Sequence, residues 1–588
     1  MKMYIGDLET NYYNNEASVW LSGLLPLDVD DDNYIYFRNL NDTLRYLISM
    51  DDDARIYYHN LKFDASFWVL YLYESDYRDV TITNHSFLKN GEFSYVVDNL
   101  GKWYQVKFKT HNHTFTFVDS FKLLPLSVAN IGKTFGGEQK GEIDYSIYRS
   151  QTWVLTDNEV DYLYNDLKIV KNGLNTFKDS SKLTIGSLCF SEYKSIIGKQ
   201  TYTDLFPKLT DFKLNAEYGA LNADAYIRNA YYGGWCYLNP KYEKQLLTNG
   251  YVLDVNSLYP YVMSSKSGFA YPVGNPVFKR IDSVKFNIGS DLYYFVRFRS
   301  IFTIKENGVP TLSSKRNLRM SKGSWLLNSH NEFGTDAVSI GDTLEWGMEF
   351  TLTKTDYEMF LANYDIKFIY YYDCVIFEQR IGLFDDYINK YKHIKETTTG
   401  GQRQIAKLFL NNLYGKFGTN PTKLRSILKF DDNKISTDKV VKTTDDAGFV
   451  PIAAAVTAYG RYTTINMAKL NYSNFVYADT DSVHCIGEMP NAFTELVHPT
   501  ELGKWKLENR WDTGYFVRQK TYLEKDGDDY TIKCAGLPHT LSNRISDEIR
   551  QGNLDVRDFD TGFEIDGKKV TKFVKGGSAV VETEFKMR

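Results

Sequence analysis

Two helices and five strands can be read from the spacing of apolar and polar positions before any chemistry is considered. From Gln404 to Gly415 the apolar residues Ile405, Leu408, Phe409 and Leu413 recur at helical spacing, and the pattern predicts a helix that stops at Gly415. Arg403, Lys407, Asn411 and Tyr414 then share the opposite, polar stripe. Thr156-Asp157-Asn158-Glu159 has the form of a capping box opening a second helix, with Leu163, Leu167 and Val170 inward. Tyr162 and Asp166 stand one turn apart on a single face of it. Period-two patterning predicts strands elsewhere. Met3–Thr10 places Asp7 and Glu9 on one face, with Ile5 and Leu8 near a core, and Tyr57–Asp64 reads as an aromatic strand leading to Asp64. Tyr251–Val255 is apolar around Asp254, after which Asn256–Pro260 turns away. Phe475–Ala478, Asp479-Thr480-Asp481 and Ser482–Cys485 form a strand, a tight turn and a strand. The stretch from Asn420 to Gly448 is polar with little strong periodicity, as in a protruding loop or hairpin.

At 588 residues the chain should hold several domains whose cores need neither disulfides nor a structural metal. The net charge of −5 argues against an indiscriminate polyanion binder, yet Lys390, Lys392, Lys395, Arg403 and Lys407 can still line one basic channel. The five cysteines include no CxxC pair and are odd in number, which indicates a reducing cytosol and no zinc site. Met1-Lys2-Met3 runs directly into the first strand and no later stretch is long and apolar enough to span a bilayer, so the expectation is a soluble intracellular protein. The 46 Tyr and 37 Phe can supply stacking platforms for bases, but ordinary cores account for most of them.

Paired aspartates alone mean little in this chain, since Asp30 with Asp32 and Asp51 with Asp53 read as solvated loops. Asp7 with Glu9 suits a divalent metal about as well as it suits a charged edge strand. Adding Asp64 and Asp166 changes the balance. Four carboxylates from two strands and a helix can hold two Mg²⁺ ions roughly 4 Å apart for phosphodiester hydrolysis, with Tyr162 orienting the attacking water. Lys140, in Gln139-Lys140-Gly141, reads on residue grounds as readily as a solvated loop lysine as it does as a functional one. Asp254 is expensive to bury unless it is paired or bound to metal. With Asp481 at a neighbouring strand end and Asp479 beside it, a second metal pair can form, and the Lys407 stripe offers cations and an aromatic to a triphosphate and its base.

The ordered set is specific. DxE at Asp7, NxxFD at Asn60–Asp64 and YxxxD at Tyr162–Asp166 resemble the DEDD-type 3′-5′ exonuclease domain of family B DNA polymerases. DxxSLYP from Asp254, KxxxNxxYG from Lys407, YxDTDS ending at Ser482 and KxY at Lys520–Tyr522 resemble that family's polymerising motifs over nearly the whole chain. LYGKFGT and Tyr231-Tyr232-Gly233-Gly234 are similar to the protein-primed branch found in small tailed bacteriophages. The resemblance implies that Asp254, Asp479 and Asp481 are catalytic, with Val255 beside Asp254 in metal and nucleotide binding. It implies that Tyr259 stacks under the sugar and excludes a 2′-hydroxyl, and that Tyr414 contacts the incoming base pair. Lys395, Arg403, Lys407 and Asn411 would face the nucleotide, and Lys140 would be an auxiliary nuclease lysine. Lys520 and Tyr522 would grip the primer end, Asn60 and Phe63 would contact DNA, and Tyr231, Gly233 and Gly234 would bind template.

The fold implied is an α/β and α+β multidomain chain: a ribonuclease-H-like exonuclease domain followed by a right-hand polymerase with palm, fingers, thumb and two insertions. Its expected limits are 1–186 for the nuclease, 187–265 and 450–537 for the palm, 266–382 for a terminal-protein-binding insertion and 383–418 for the fingers. A second insertion serving processivity and strand displacement would occupy 419–449, and the thumb 538–588. The implied cofactor is Mg²⁺, two per active site, which Mn²⁺ can replace. The implied partners are primer-template DNA, dNTPs and a terminal protein, for a monomer or a heterodimer with that protein in the cytoplasm of an infected bacterium. The competing readings are a conventionally primed family B polymerase, a nuclease with a passive DNA-binding palm and a non-catalytic scaffold.

Overall fold

The computed structural model describes residues 1–28, 33–82, 87–136, 139–177, 182–313, 325–329, 338–340, 343–345, 347–431, 434–444 and 447–588. The Asp30/Asp32 pair and Asp446 lie outside the described residues, as do parts of the expected 266–382 insertion.

The N-terminal third is built on an eight-stranded sheet in which Lys2–Tyr13, Ala54–Tyr58 and His113–Asp119 run parallel at the centre. Parallel neighbours need crossover connections, and the helix Lys62–Glu74 lies within one of them. The capping box forms as expected: Thr156 Oγ1 accepts from Glu159 N, and Glu159 answers on Thr156 N, opening the helix Asp157–Asn175. That helix lies on Lys2–Tyr13 and Glu16–Pro26, and it approaches so closely that a Cβ on Gly23 would stand 2.9 Å from Leu163 Cδ2. The expected inward stripe of Leu163, Leu167 and Val170 is buried.

One expectation is corrected here. Asp64 does not extend a strand. The chain leaves the Ala54–Tyr58 strand through Asn60, whose φ of +72° breaks the extended run, and Asp64 falls in the first turn of Lys62–Glu74. Helix N-termini favour a carboxylate there. Asp7, Glu9, Asp64 and Asp166 therefore come from one strand and two helices.

A second sheet of seven strands carries the other set of motifs, with Leu246–Val255 flanked by Trp505–Arg518 and Ser482–Ile486, and Phe475–Asp479 next in order. Behind it runs the helix Val450–Leu470, buried continuously from Val450 to Arg461. The helices Asp385–Thr397 and Gly400–Phe417 pack on each other. The second continues through Gly415 to Phe417, beyond the expected stop, because Phe417 anchors its last turn in the core. Its buried face is Ala406, Phe409, Leu410, Leu413 and Phe417; Ile405 and Leu408 are only partly buried, so the inward stripe is rotated from the expected one.

Between these parts, Tyr271–Ser283, Tyr364–Arg380, Tyr293–Ile304 and Met348–Thr353 make a four-stranded sheet with the helix Lys354–Asn363. Thr422–Asp431 pairs with Lys434–Thr443 in a hairpin that leans on the N-terminal sheet and its helix: Ser426 Oγ donates to Asp98 O, and Phe430 stacks on Tyr73 at 4.5 Å. The 186/187 boundary falls inside the helix Ile185–Ile197. The last hairpin, Glu564–Val574 with Gly577–Lys586, returns to the N-terminal sheet, where Ala17 N donates to Lys575 O at 2.8 Å. All five cysteines are free thiols and four are buried. Among the described residues no helix is long and apolar enough to cross a membrane.

Candidate active sites

The first site is a cavity of 670 Å³ lined by Asp7, Glu9, Asp64, Asp166, Tyr162, Lys140, Asn60 and Phe63, and closed on one side by Lys569, Thr571 and Glu582 of the C-terminal hairpin. Every nuclease residue expected from the sequence is here. Burial, with Asp166 nearby, pushes Asp7 up to about 7 against the pull of Lys140. Burial and then the Asp7 charge raise Glu9 and Asp64, and burial raises Asp166. Carboxylates crowded in this way need cations. One is the Lys140 ammonium, 2.6 Å from Asp166 Oδ2.

Hard oxygen donors of this kind suit Mg²⁺, and two of the buried oxygens, Asp64 Oδ1 and Asp166 Oδ1, have no protein partner. Among the described residues no three His, Cys, Asp or Glu side chains already converge as a ready-made metal group. The fit therefore rests on donor chemistry and on these unmatched oxygens. Tyr145 was not anticipated from the sequence. Its hydroxyl lies 3.0 Å from that of Tyr162, and both residues line the cavity with Glu9. Nothing in its loop marks it except its place five residues after Lys140. Asp119 was also missed: its Oδ1 accepts from Asn60 N at 3.0 Å and Leu61 N at 3.3 Å, fixing the turn that aims Asn60 at the cavity.

The second site is a groove of 680 Å³ between the seven-stranded sheet and the helix pair, lined by Asp254, Ser257, Lys395, Arg403 and Lys407 among others. Asp254 faces Ser482 across the ladder, and Val255 N donates to Asp481 O at 2.8 Å, so the two strand ends are locked in register. Burial, then the charges of Asp481 and Glu508, push Asp254 up to about 7; burial also raises Asp481. Glu508 is a further carboxylate that the sequence reading missed, brought to the groove by pairing of Trp505–Arg518 beside Asp254. The hairpin turn is tight, with Thr480 at φ +65°. Asp479 is held by Lys520 Nζ at 2.7 and 2.8 Å, while Tyr522 stacks on Phe516 beneath Tyr477.

Opposite the carboxylates stands the cationic face. Burial, then Lys407 and Arg403, lower Lys395, whose Nζ donates to Ser257 Oγ at 3.2 Å. Charge kept high in so tight a space is a setting for an anion. Lys390, expected in this channel, turns away to pair with Glu192. Asn411 is exposed on the same helix, and Tyr414 meets Tyr259 with ring centroids 4.3 Å apart. Tyr231 abuts the end of that helix at Gly418. Arg461 was not singled out from sequence, yet its guanidinium pairs with buried Asp356 and donates to Tyr232 O and Gly233 O at 2.9 and 2.6 Å.

A family model described as DNA polymerase type B, organellar and viral, matches residues 46–158 and 138–493. The DNA polymerase of Bacillus phage M2 is 31% identical over 618 positions, covering 100% of both chains. That of Bacillus phage phi29 is 30% identical over 617 positions, covering 100% of this chain and 99% of the other. Among solved structures, phi29 DNA polymerase complexed with primer-template DNA and incoming nucleotide substrates superposes with a TM-score of 0.85 at 28% identity, each chain covered in full. Its post-translocation binary complex with primer-template DNA gives 0.84 at 27%.

Proposed function

The chain belongs to the organellar and viral type B DNA polymerases, and from that premise we propose a proofreading replicase of a linear phage genome, started from a terminal-protein primer. The observation that carries the reading is the presence of two separate carboxylate sites in one chain, each facing its own cavity.

In the groove, Asp254 and Asp481 would hold the metal, with Val255 beside them, and Asp479 would set Lys520 toward the primer end. When bound, Mg²⁺ supplies charge neutralisation and activation of the attacking hydroxyl, and Mn²⁺ can replace it. Lys395, Arg403 and Lys407 hold triphosphate oxygens of a dNTP. Tyr414 meets its base and Tyr259 its sugar. The 254–481 ladder and the Thr480 turn fix these groups relative to one another, and such pre-positioning lowers the barrier. In the cleft, Asp7, Glu9, Asp64 and Asp166 form the second metal-binding set, Tyr162 with Tyr145 orients water, and Asn60 with Phe63 takes the frayed 3′ end. The sheet of Tyr271–Ser283 and its neighbours, within 266–382, would receive the terminal protein, and the 422–443 hairpin would enclose template. The last hairpin belongs to the thumb. The setting is the cytoplasm of an infected bacterium, as a monomer or a heterodimer with the terminal protein.

The test uses a 5′-labelled primer on a longer template with Mg²⁺, with and without dNTPs. Asp481→Ala should stop extension and leave shortening, and Asp7→Ala with Glu9→Ala should do the reverse. Loss of both activities in either folded variant would reject the two-site assignment. Incubation with a candidate terminal protein and labelled dNTP should give a covalent protein–nucleotide adduct; no adduct would favour conventional priming.

A further inference from the structure

From residue 139 to the helix Asp157–Asn175 the chain crosses the nuclease cleft without regular structure, yet it delivers Lys140 to Asp166 and Tyr145 to Tyr162. Loops this long with no secondary structure of their own hold a shape only if something fixes them. Here the fixing group is Arg149, which is 4% exposed. Its Nη1 donates to Asp144 O and to Ile147 O, both at 2.9 Å, and these carbonyls bracket Tyr145. Its Nε pairs with Glu159 Oε1, while Glu159 Oε2 accepts from Thr156 N at 2.9 Å and Trp153 Nε1 at 3.1 Å. The guanidinium carbon lies 4.7 Å from the centroid of Trp20. Its backbone is tied as well: Arg149 N donates to Asn11 Oδ1 at 2.9 Å and Asn11 Nδ2 donates back to Arg149 O at 2.7 Å. Asn11 stands two residues past Glu9, across the irregularity between Glu9 and Thr10.

We propose that Arg149 is a positioning residue of the nuclease cleft, locking the Tyr145 loop simultaneously to the strand bearing Asp7 and Glu9 and to the helix bearing Tyr162 and Asp166. The inference rests on the nuclease reading of that cleft. Arg149 touches none of the four carboxylates and acts through Tyr145. Only a planar guanidinium can face one carboxylate and two carbonyls together while stacked on an indole; a lysine at the same place keeps the charge and loses the fork.

The experiment is a double-mutant cycle on single-strand degradation by the full chain, using Arg149→Lys, Tyr145→Phe and the pair, with primer extension measured on the same preparations. Arg149→Lys should lower the degradation kcat by on the order of tenfold to a hundredfold, with KM for the oligonucleotide and primer extension unchanged. The double variant should fall no further than the worse single one, because both changes remove the same constraint. Multiplying effects, an equal fall in extension, or no change in degradation would each overturn the proposal. Should limited proteolysis find the nuclease half of Arg149→Lys unfolded, Glu159→Gln, which preserves shape and removes the charge partner, takes its place in the cycle with the same expectations. Wild-type protein that degrades nothing would remove the nuclease reading itself; normal wild-type degradation with Arg149→Lys unaffected would remove this inference alone.

Discussion

A Cβ placed on Gly234 would stand 2.5 Å from Thr480 Oγ1 and 2.7 Å from Thr480 Cγ2. The glycine of one motif is therefore the floor on which the turn of another rests, and Thr480 N donates to Trp235 O at 2.7 Å to close the contact. Gly234→Ala should displace the turn holding Asp479 and Asp481. Since misplacement by about 1 Å can cost on the order of a hundredfold, primer extension should drop by tenfold or more while degradation stays intact. Unchanged kcat/KM for nucleotide addition would show that the turn moves without consequence.

Tyr259 is held from two sides, by Tyr414 and by Gly460, where a Cβ would come within 3.3 Å of the Tyr259 ring. A ring so confined can reject a 2′-hydroxyl by bulk, which an apolar pocket without such a wall does poorly, with discrimination of only about a hundredfold. Tyr259→Val should raise ribonucleotide incorporation relative to deoxyribonucleotide by at least about tenfold. Competition between ATP and dATP on a single-T template checks it, and an unaltered ratio would take the gate away from Tyr259.

The two sites differ in how far the sequence disclosed them. Asp7, Glu9, Tyr162 and Asp166 were legible because each pair sits at its element's own period, and the Thr156 capping box fixed where the helix begins. Asp64 was placed on the wrong kind of element, because the αL turn at Asn60 hides among aromatic residues that favour a strand. Glu508, Tyr145 and Arg149 arrive by tertiary routes, a strand pairing and an irregular loop, for which no local period exists. The 422–443 stretch lacks a strong period for another reason. Among its described residues it buries only Ser426, Leu428 and Ile435, because it leans on the N-terminal sheet and has no core of its own.

Lys395 tests the anion site. Burial and the neighbouring Lys407 and Arg403 disfavour its charge, so an incoming triphosphate relieves a repulsion already built into the groove. Lys395→Gln should lower kcat/KM for dNTP by roughly ten- to a hundredfold, the range of about 1.5–3 kcal/mol for a charged hydrogen bond. Affinity for primer-template should be unaffected in a gel-shift titration; a parallel loss there would recast Lys395 as a DNA-backbone contact.

Glu159 links the fold of the N-terminal part to pH. Burial opposes its charge, but Thr156 N, the Arg149 guanidinium and Trp153 Nε1 outweigh that and hold it down at about 2, against an ordinary 4.5. A carboxyl depressed in the folded state stabilises the fold fully above its unfolded value. That stabilisation is lost as pH falls from 4.5 toward 2, because the unfolded chain takes up its proton first. The difference corresponds to about 3 kcal/mol for this buried group. Glu159→Gln keeps the side chain's shape and its bond to Thr156 N but has nothing to titrate. It should be the less stable protein at pH 7, and its denaturation midpoint should change less than that of the wild type between pH 4.5 and 3. The two curves should therefore converge on acidification. Curves that stay parallel would mean that Arg149 and Glu159 contribute through shape alone and that the charge on the carboxylate is incidental.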